Sequence, residues 1–420
     1  MTDRTELQKQ LAINGGTPAA AGLSARHHFG AEERAAALRV IDQAIAEGDA
    51  PAYGGPEEEA FGKEFAELLG GGYADAVNSG TTSVYVALRA LPIEPFTEII
   101  VGPITDPGGI MPIVMMNCIP IIADSAPDSF NLNLDTIKKV YTERTSAIVI
   151  PHIAGEPADM EPIMEFAKEK GIYVVEDCAQ AHGAKINGKP VGTFGDAAGF
   201  SLMYGKHTCT GGQGGIVFTK SEDTYWKIRQ NSDRGKPFGL TEHNGNCVAS
   251  LNFNLDEVGC AIGRVQTKKM DAIAAARRNV AKKVFEGLTR KDILRAPALP
   301  EGAEPSYWFT RMLLDASKIT CDKHTFCEAL IAEGLTVREF YDAVPYMRTW
   351  AQEKKVFGNS NYPWAAPEYK GDRHMQYTLP ENVAKVLEQN INVHLHENHS
   401  EEEIQRIINA LNKVCEAYAV

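Results

Sequence analysis

Two residues in this sequence could do together what neither does alone. Lys206 closes the run Gly-Asp-Ala-Ala-Gly-Phe-Ser-Leu-Met-Tyr-Gly-Lys (195–206), just ahead of the glycine-rich loop Thr210-Gly-Gly-Gln-Gly-Gly. Upstream, the apolar run Ile172-Tyr-Val-Val ends on Glu176-Asp177-Cys-Ala-Gln180. An amine in a tight polar turn can hold an aldehyde as a Schiff base. A carboxylate at a strand end can pair with a protonated ring nitrogen. Pyridoxal 5′-phosphate (PLP) needs both, because its ring is an electron sink only while the pyridinium stays charged. The pattern assigns Asp177 to the ring nitrogen and Lys206 to the Schiff base, and lets Gln180 face the ring's 3′-oxygen. Burial and cationic neighbours would lower the lysine's pKa and make it a usable nucleophile and base. Taken singly, each has a plainer reading: a surface loop lysine, and an acidic pair opening a loop.

A phosphate site is expected nearby. Asn78-Ser-Gly-Thr-Thr82 joins a strand to a helix, so Gly80 permits close approach while Thr81 and the first free N–H groups suit an anion. A Ser/Thr helix cap is the plainer alternative. Ser201, in Phe200-Ser-Leu-Met-Tyr-Gly-Lys206, offers a second phosphate ligand. His182 and His207 flank these motifs and are read as structural or substrate-contact histidines rather than catalytic bases. His394, His396 and His399 resemble a metal set, but strand alternation and a solvated loop account for them, so no metal is expected.

The elements that must position these residues alternate from residue 73 onward. Short apolar strands are expected at Ala74–Val77, Glu98–Val101, Ile119–Ala123, Ala147–Ile150, Ile172–Val175, Ala197–Ser201 and Gly215–Thr219. Helical segments fall between several of them, at Thr82–Leu91, Gly109–Asn117, Leu134–Tyr141 and Met160–Lys170. This is the pattern of an α/β fold with a mostly parallel seven-stranded sheet flanked by helices. Such sheets bind ligands beyond the carboxyl ends of their strands, where the polar motifs lie. The expected organisation is an irregular N-terminal arm (1–30), a large PLP-binding α/β domain (31–265), and a linking helix with a smaller C-terminal α+β domain (266–420). The large domain opens with two helices, 31–48 and Glu57–Leu69. A long helical stretch over Asp256–Leu288 carries a basic cluster, Lys268, Lys269, Arg277 and Arg278. The small domain contains a strand at Trp308–Leu314 and helices at His324–Glu333 and Glu401–Tyr418.

Composition narrows the class. A chain of 420 residues can bury two sizeable cores. Its net charge of −13 speaks against nucleic acid or anionic membrane as partners, since both reward a basic surface. Eight cysteines form no Cys-x-x-Cys and no zinc-like spacing, so buried reduced thiols are expected. The N-terminus has no apolar export core, and no stretch reaches the ~20 apolar residues that span a bilayer. A cytoplasmic enzyme is the expectation.

In combination the motifs resemble the DegT/StrS family of PLP-dependent sugar aminotransferases, of fold type I. The resemblance runs over roughly residues 11–415. It rests on Asn78-Ser-Gly-Thr, Pro151-His-Ile-Ala-Gly-Glu-Pro-Ala-Asp-Met160, Val174-Val-Glu-Asp-Cys-Ala-Gln-Ala-His-Gly183, Phe200-Ser with Lys206, Gly214-Gly215, and Asn252-Phe-Asn-Leu-Asp-Glu-Val-Gly-Cys-Ala-Ile-Gly263. It implies an aminotransferase that takes nitrogen from glutamate or glutamine through pyridoxamine phosphate (PMP) and delivers it to a keto-sugar, nucleotide-linked, or a ketocyclitol. It implies Lys206 as the Schiff-base and proton-moving residue, Asp177 on the pyridine nitrogen and Gln180 near the ring hydroxyl, with Gly80, Thr81 and Ser201 on the phosphate. It also implies a homodimer in which Asn252 reaches the phosphate of the neighbouring subunit.

Three departures stand out. Asp106 occupies the position where the family usually places an aromatic residue over the ring. Asn254 stands where arginine is common, and the loop after Lys206 is one residue longer than is typical. Two other readings stay open at this point. One is a sugar dehydratase of the same fold, in which histidine replaces the lysine and for which His207 is the cue. The other is a non-catalytic relative with a binding or regulatory role.

Overall fold

The computed structural model describes residues 4–242 and 245–420. Among them a seven-stranded sheet forms from β1 (Tyr73–Val77), β2 (Glu98–Val101), β3 (Ile119–Ile122), β4 (Thr145–Pro151), β5 (Tyr173–Asp177), β6 (Ala197–Ser201) and β7 (Gly215–Thr219), in the order β1-β7-β6-β5-β4-β2-β3. All pairs are parallel except those of β7, which runs against both β1 and β6. Alternation sends successive strand residues to opposite faces. Val149 and Val175 pack with Val84 and Ile113 on one face. Ile148, Ile150 and Val174 pack with Ile137, Met160 and Ile163 on the other. The central strands are therefore apolar on both faces along their middles, as in sheets covered on both sides, and β5 turns acidic only at its carboxyl end.

A second, antiparallel sheet holds β8 (Leu294–Arg295), β9 (Thr310–Leu314), β10 (Val337–Arg338) and β11 (Asn390–Val393) in the order β8-β9-β11-β10. Its core includes Phe326, Leu330, Ile407 and Leu411, from the helices Lys323–Ala332 and Glu401–Tyr418.

Two stretches differ from the reading above. The helical run over Asp256–Leu288 is two helices, Glu257–Thr267 and Met270–Gly287. The break falls where Lys269 turns to pair with Glu32 and Glu33 at 2.7 and 2.6 Å. Of its basic cluster, Lys268 is exposed, whereas Arg277 is buried and paired with Glu397. Among its described residues the N-terminal arm starts on short helical turns and is irregular from 15 to 30, yet it is tied down along its length. A helix, Arg4–Gln10, leads into a turn that buries Leu11 completely. Beyond it, the buried carboxylate of Glu333 accepts the backbone N–H groups of Ala12 and Ala19, both at 2.8 Å. Glu403 accepts that of Ser24 at 2.6 Å. Among the described residues no helix is long and apolar enough to cross a membrane, and all eight cysteines are free thiols.

Candidate active site

A cavity of about 290 Å³ opens at the carboxyl ends of β1, β2, β4, β5 and β6. Seven expected residues line it together: Gly80, Thr81, Asp106, Asp177, Gln180, Ser201 and Lys206.

Its phosphate-like corner is built by the helix Gly80–Arg89. Ser79 caps it, its hydroxyl accepting from the Thr82 N–H at 3.1 Å. Cap and anion site are thus compatible, because the cap leaves the N–H groups of Gly80 and Thr81 unused by the helix. A Cβ at Gly80 would lie 2.4 Å from that of Ser201. Only glycine lets the helix end come this close to the serine hydroxyl.

Asp177 and Lys206 stand on two other walls. Burial pushes the Asp177 carboxyl up, and the Ala179 N–H (3.0 Å) and the Lys206 charge pull it back. Lys206 is 7% exposed. Burial lowers its amine to about 8, against the pull of Asp177 and Asp106. Its Nζ lies 3.8 Å from the ring centre of Trp308, whose indole N–H donates to the Gly205 carbonyl at 2.8 Å. Amine and acid share one chamber without meeting, as two groups that grip opposite ends of a ring must.

Glu176, adjacent to Asp177, is spent on structure. Its Oε1 accepts from the N–H groups of Phe194 (2.8 Å) and Gly195 (2.7 Å), and its Oε2 from Gly192 (2.7 Å) and His152 Nε2 (3.1 Å). His152 Nδ1 accepts from the Ala158 N–H at 3.0 Å, so both ring nitrogens are engaged. Glu176, His152 and Cys178 are close enough to suggest a metal site. The hydrogen bonds just described occupy both carboxylate oxygens and both imidazole nitrogens.

The departures have local causes. Asp106 caps the helix Pro107–Met115, with Oδ1 accepting from the Gly108 N–H at 2.9 Å, and Pro107 follows in the first turn. The two glycines after it let this helix abut the site: a Cβ on Gly108 would lie 2.6 Å from Thr81 Oγ1, and one on Gly109 2.8 Å from Asp177 Oδ2. Asn254 donates its side-chain amide to Asn252 Oδ1 at 2.7 Å.

Some expected placements are not met. His182 and His207 do not line the cavity. Both are fully buried behind it, His182 on the Thr208 hydroxyl at 2.8 Å and His207 on the Ser306 carbonyl at 3.1 Å. Burial drops His182 to about 3 and His207 well below its usual range, so both stay neutral. Of the two roles read for them, structural or substrate contact, this placement fits the structural one. Gln180 lines the cavity but spends its Oε1 on the Ala154 N–H (2.8 Å) and one amide hydrogen on the Tyr341 hydroxyl (2.7 Å). Asn252 lies on the exposed surface, outside this chain's own cavity. His396 uses both nitrogens, on the Ser24 carbonyl and the Asn398 N–H, and stacks on His399.

Sequence reasoning missed Trp308, His152, Thr105 and Gln213 as lining residues. His152 had a signal, since it follows the end of β4 within a quoted motif. Trp308 had none, because it arrives from the far end of the chain.

Fold and cavity together define a fold type I PLP-dependent transferase. The match to the DegT/DnrJ/EryC1/StrS aminotransferase family spans residues 32–412. The UDP-N-acetyl-3-dehydro-alpha-D-glucosamine 3-aminotransferase of Acidithiobacillus ferrooxidans is 33% identical over 287 residues, covering 68% of this chain and 75% of its own. The GDP-perosamine synthase of Vibrio cholerae is 31% identical over 261 residues, 61% of this chain and 69% of that one. Among solved structures, an aminotransferase from Psychrobacter cryohalolentis superposes with a TM-score of 0.80 at 26% identity, covering 93% of this chain and 98% of the other. The chain belongs to the DegT/DnrJ/EryC1/StrS family, and it is an aminotransferase.

Proposed function

We propose that this enzyme moves an amino group from glutamate or glutamine to a keto-sugar carried on a nucleotide, or to a ketocyclitol, with Lys206 as its catalytic residue. The observation that carries the reading is the single chamber walled by Lys206, Asp177 and the Gly80–Ser201 cradle. The relatives from A. ferrooxidans and V. cholerae, named for UDP- and GDP-linked sugars, support the acceptor class.

The residues fit PLP. Asp177 would hold the ring nitrogen, Gln180 would flank the ring oxygen with its remaining amide hydrogen, and Gly80, Thr81 and Ser201 would hold the phosphate. Bound there, PLP supplies the electron sink for the substrate's α-carbon. Lys206 supplies the amine. Near pH 8 a substantial fraction of it is neutral and nucleophilic. In that role its Nζ would take the proton from the donor's α-carbon and hand it on to the cofactor. Asp106 lines the chamber and uses Oδ1, not Oδ2, for the helix cap. His207, the cue for a dehydratase, is turned to Ser306 and cannot stand in for Lys206.

We further infer a cytoplasmic homodimer in which Asn252, held by Asn254, completes the neighbour's phosphate site. The test is spectral. Purified protein should show PLP absorbance that shifts on adding glutamate or glutamine, and Lys206→Ala should lose the response. A colourless protein that takes up no PLP would sink the reading. Light scattering at the size of a monomer would remove the dimer and leave the rest standing.

A further inference from the structure

Behind Lys206 the chain builds a clamp that the chemistry above leaves unused. Three successive carbonyls of the lysine turn each accept a side-chain donor. Trp308 Nε1 reaches Gly205, and the two ends of the Arg26 guanidinium reach Lys206 (2.7 Å) and His207 (2.8 Å). Arg26 belongs to the N-terminal arm, far from these residues in sequence. Its Nε donates to Glu397 Oε1 at 2.8 Å, while Glu397 Oε2 accepts from Arg277 Nε, also at 2.8 Å. Arg277 Nη1 in turn donates to the carbonyls of Tyr307 (2.9 Å) and Trp308 (3.2 Å). The circuit closes on Trp308, whose ring lies against Lys206 Nζ.

A plain structural ion pair needs none of this aim. The planar fork of arginine fixes direction as well as distance. Here it is seated on the backbone of the reactive residue itself. Lys206 is thereby tied at both ends: its carbonyl by Arg26, its amine by the Trp308 face. All three charged members of the circuit are largely buried, their side chains 19%, 8% and 5% exposed for Arg26, Glu397 and Arg277. Losing Glu397 would leave two buried guanidinium charges without compensation, whereas losing Arg26 leaves Glu397 paired with Arg277.

We propose that Arg26 is a positioning residue for Lys206, and that Glu397 and Arg277 form the frame that keeps Arg26 and Trp308 in register. The N-terminal arm is then part of the active site. The inference rests on reading Lys206 as the amine that takes PLP.

The test uses the full-length protein stripped of PLP, with uptake followed by visible absorbance as pH is raised. The charged groups facing Nζ are Asp177, at the end of β5, and Asp106, at the head of the helix Pro107–Met115; the buried His182 is near but stays neutral, and Arg26 meets Lys206 only at its backbone carbonyl. Wild-type uptake should accelerate through a midpoint near 8. Arg26→Ala should slow uptake at neutral pH by about 10²-fold, the scale of a roughly 1 Å misplacement. Its midpoint should rise by about one pH unit as the loosened amine regains water. Arg26→Lys should recover only part of the rate, because an ammonium cannot fork across two carbonyls. Glu397→Gln should shift rate and midpoint the same way by a smaller amount. Should Arg26→Ala fail to fold by thermal melting, the latter two variants carry the same expectations. Folded variants with wild-type rate and midpoint would overturn the proposal. Uptake by Lys206→Ala equal to wild type would instead remove the reading of Lys206, and this inference with it.

Discussion

Replacing Lys206 by methionine should make the PLP-free protein more stable. The side chain keeps its approximate length and loses its charge. Burial takes the Lys206 amine from its ordinary 10.5 to about 8. At about 1.4 kcal/mol for each pH unit, holding the ammonium in the fold costs about 3 kcal/mol at neutral pH. The sign follows from proton counts. Below pH 8 the amine is charged in folded and unfolded chains alike, so the full cost applies. Between 8 and 10.5 the folded protein sheds its proton first, and wild-type stability climbs. Above 10.5 the cost is gone. Methionine removes it at every pH, although Asp177 loses its nearest cation and returns part of the gain. The net expectation is an increase of about 1–3 kcal/mol at pH 7 that vanishes toward pH 10.5. Urea denaturation of the two PLP-free proteins at both pH values measures it. A variant equal to or weaker than wild type at pH 7, or a difference independent of pH, would refute the claim that the amine sits desolvated and strained for function.

Three further outcomes are expected. Gly80→Ala sets a Cβ 2.4 Å from that of Ser201, and overpacking of about 1–3 kcal/mol should weaken PLP binding by about 10- to 100-fold in a fluorescence titration. Asp177→Asn keeps the shape and removes the anion, so steady-state kcat/KM should fall by about 10²–10³ if charge at that wall matters; an unchanged value would strip Asp177 of its role. Asp106→Ala should cost about 1 kcal/mol in chemical denaturation through loss of the helix cap, and a neutral result would mean the cap in Asp106–Gly108 carries no weight.

The seven strands of the large sheet and the polar turns at their ends were legible because both follow local rules: apolar runs of strand length, broken by glycine and hydroxyl residues. Gly80 and Ser201 could be paired from motif alone, although only the fold shows why the glycine is needed. What stayed hidden was long-range. Arg26, Glu397 and Trp308 come from the arm and the distal part of the chain, and nothing in their neighbours' sequence says that they converge behind Lys206. For His182 and His207 the sequence left a structural and a substrate-contact role open, for the opposite reason. Adjacency in sequence to the motifs is not adjacency to the cavity, and their imidazoles turn inward to Thr208 and Ser306.

The pair Glu176–Asp177 shows how a strand separates two identical charges into two jobs. Neighbouring strand residues point to opposite faces. Asp177 shares the parity of Val149 and Val175, the face packed by Val84 of the helix Gly80–Arg89. Glu176 shares the parity of Val174, the face packed by Met160 and Ile163. On its own face Glu176 collects three backbone N–H groups and an imidazole, which use both of its oxygens. Asp177 has one backbone N–H on Oδ1, and Gly109 keeps the space beside Oδ2 clear. A buried carboxylate with an open oxygen is costly unless a cation meets it. Within this chain Lys206 meets that need only across the cavity, and a protonated ring nitrogen between the two would meet it directly. The strand's twofold period therefore selects Asp177 over Glu176, and the satisfied state of Glu176 is what leaves Asp177 free to act.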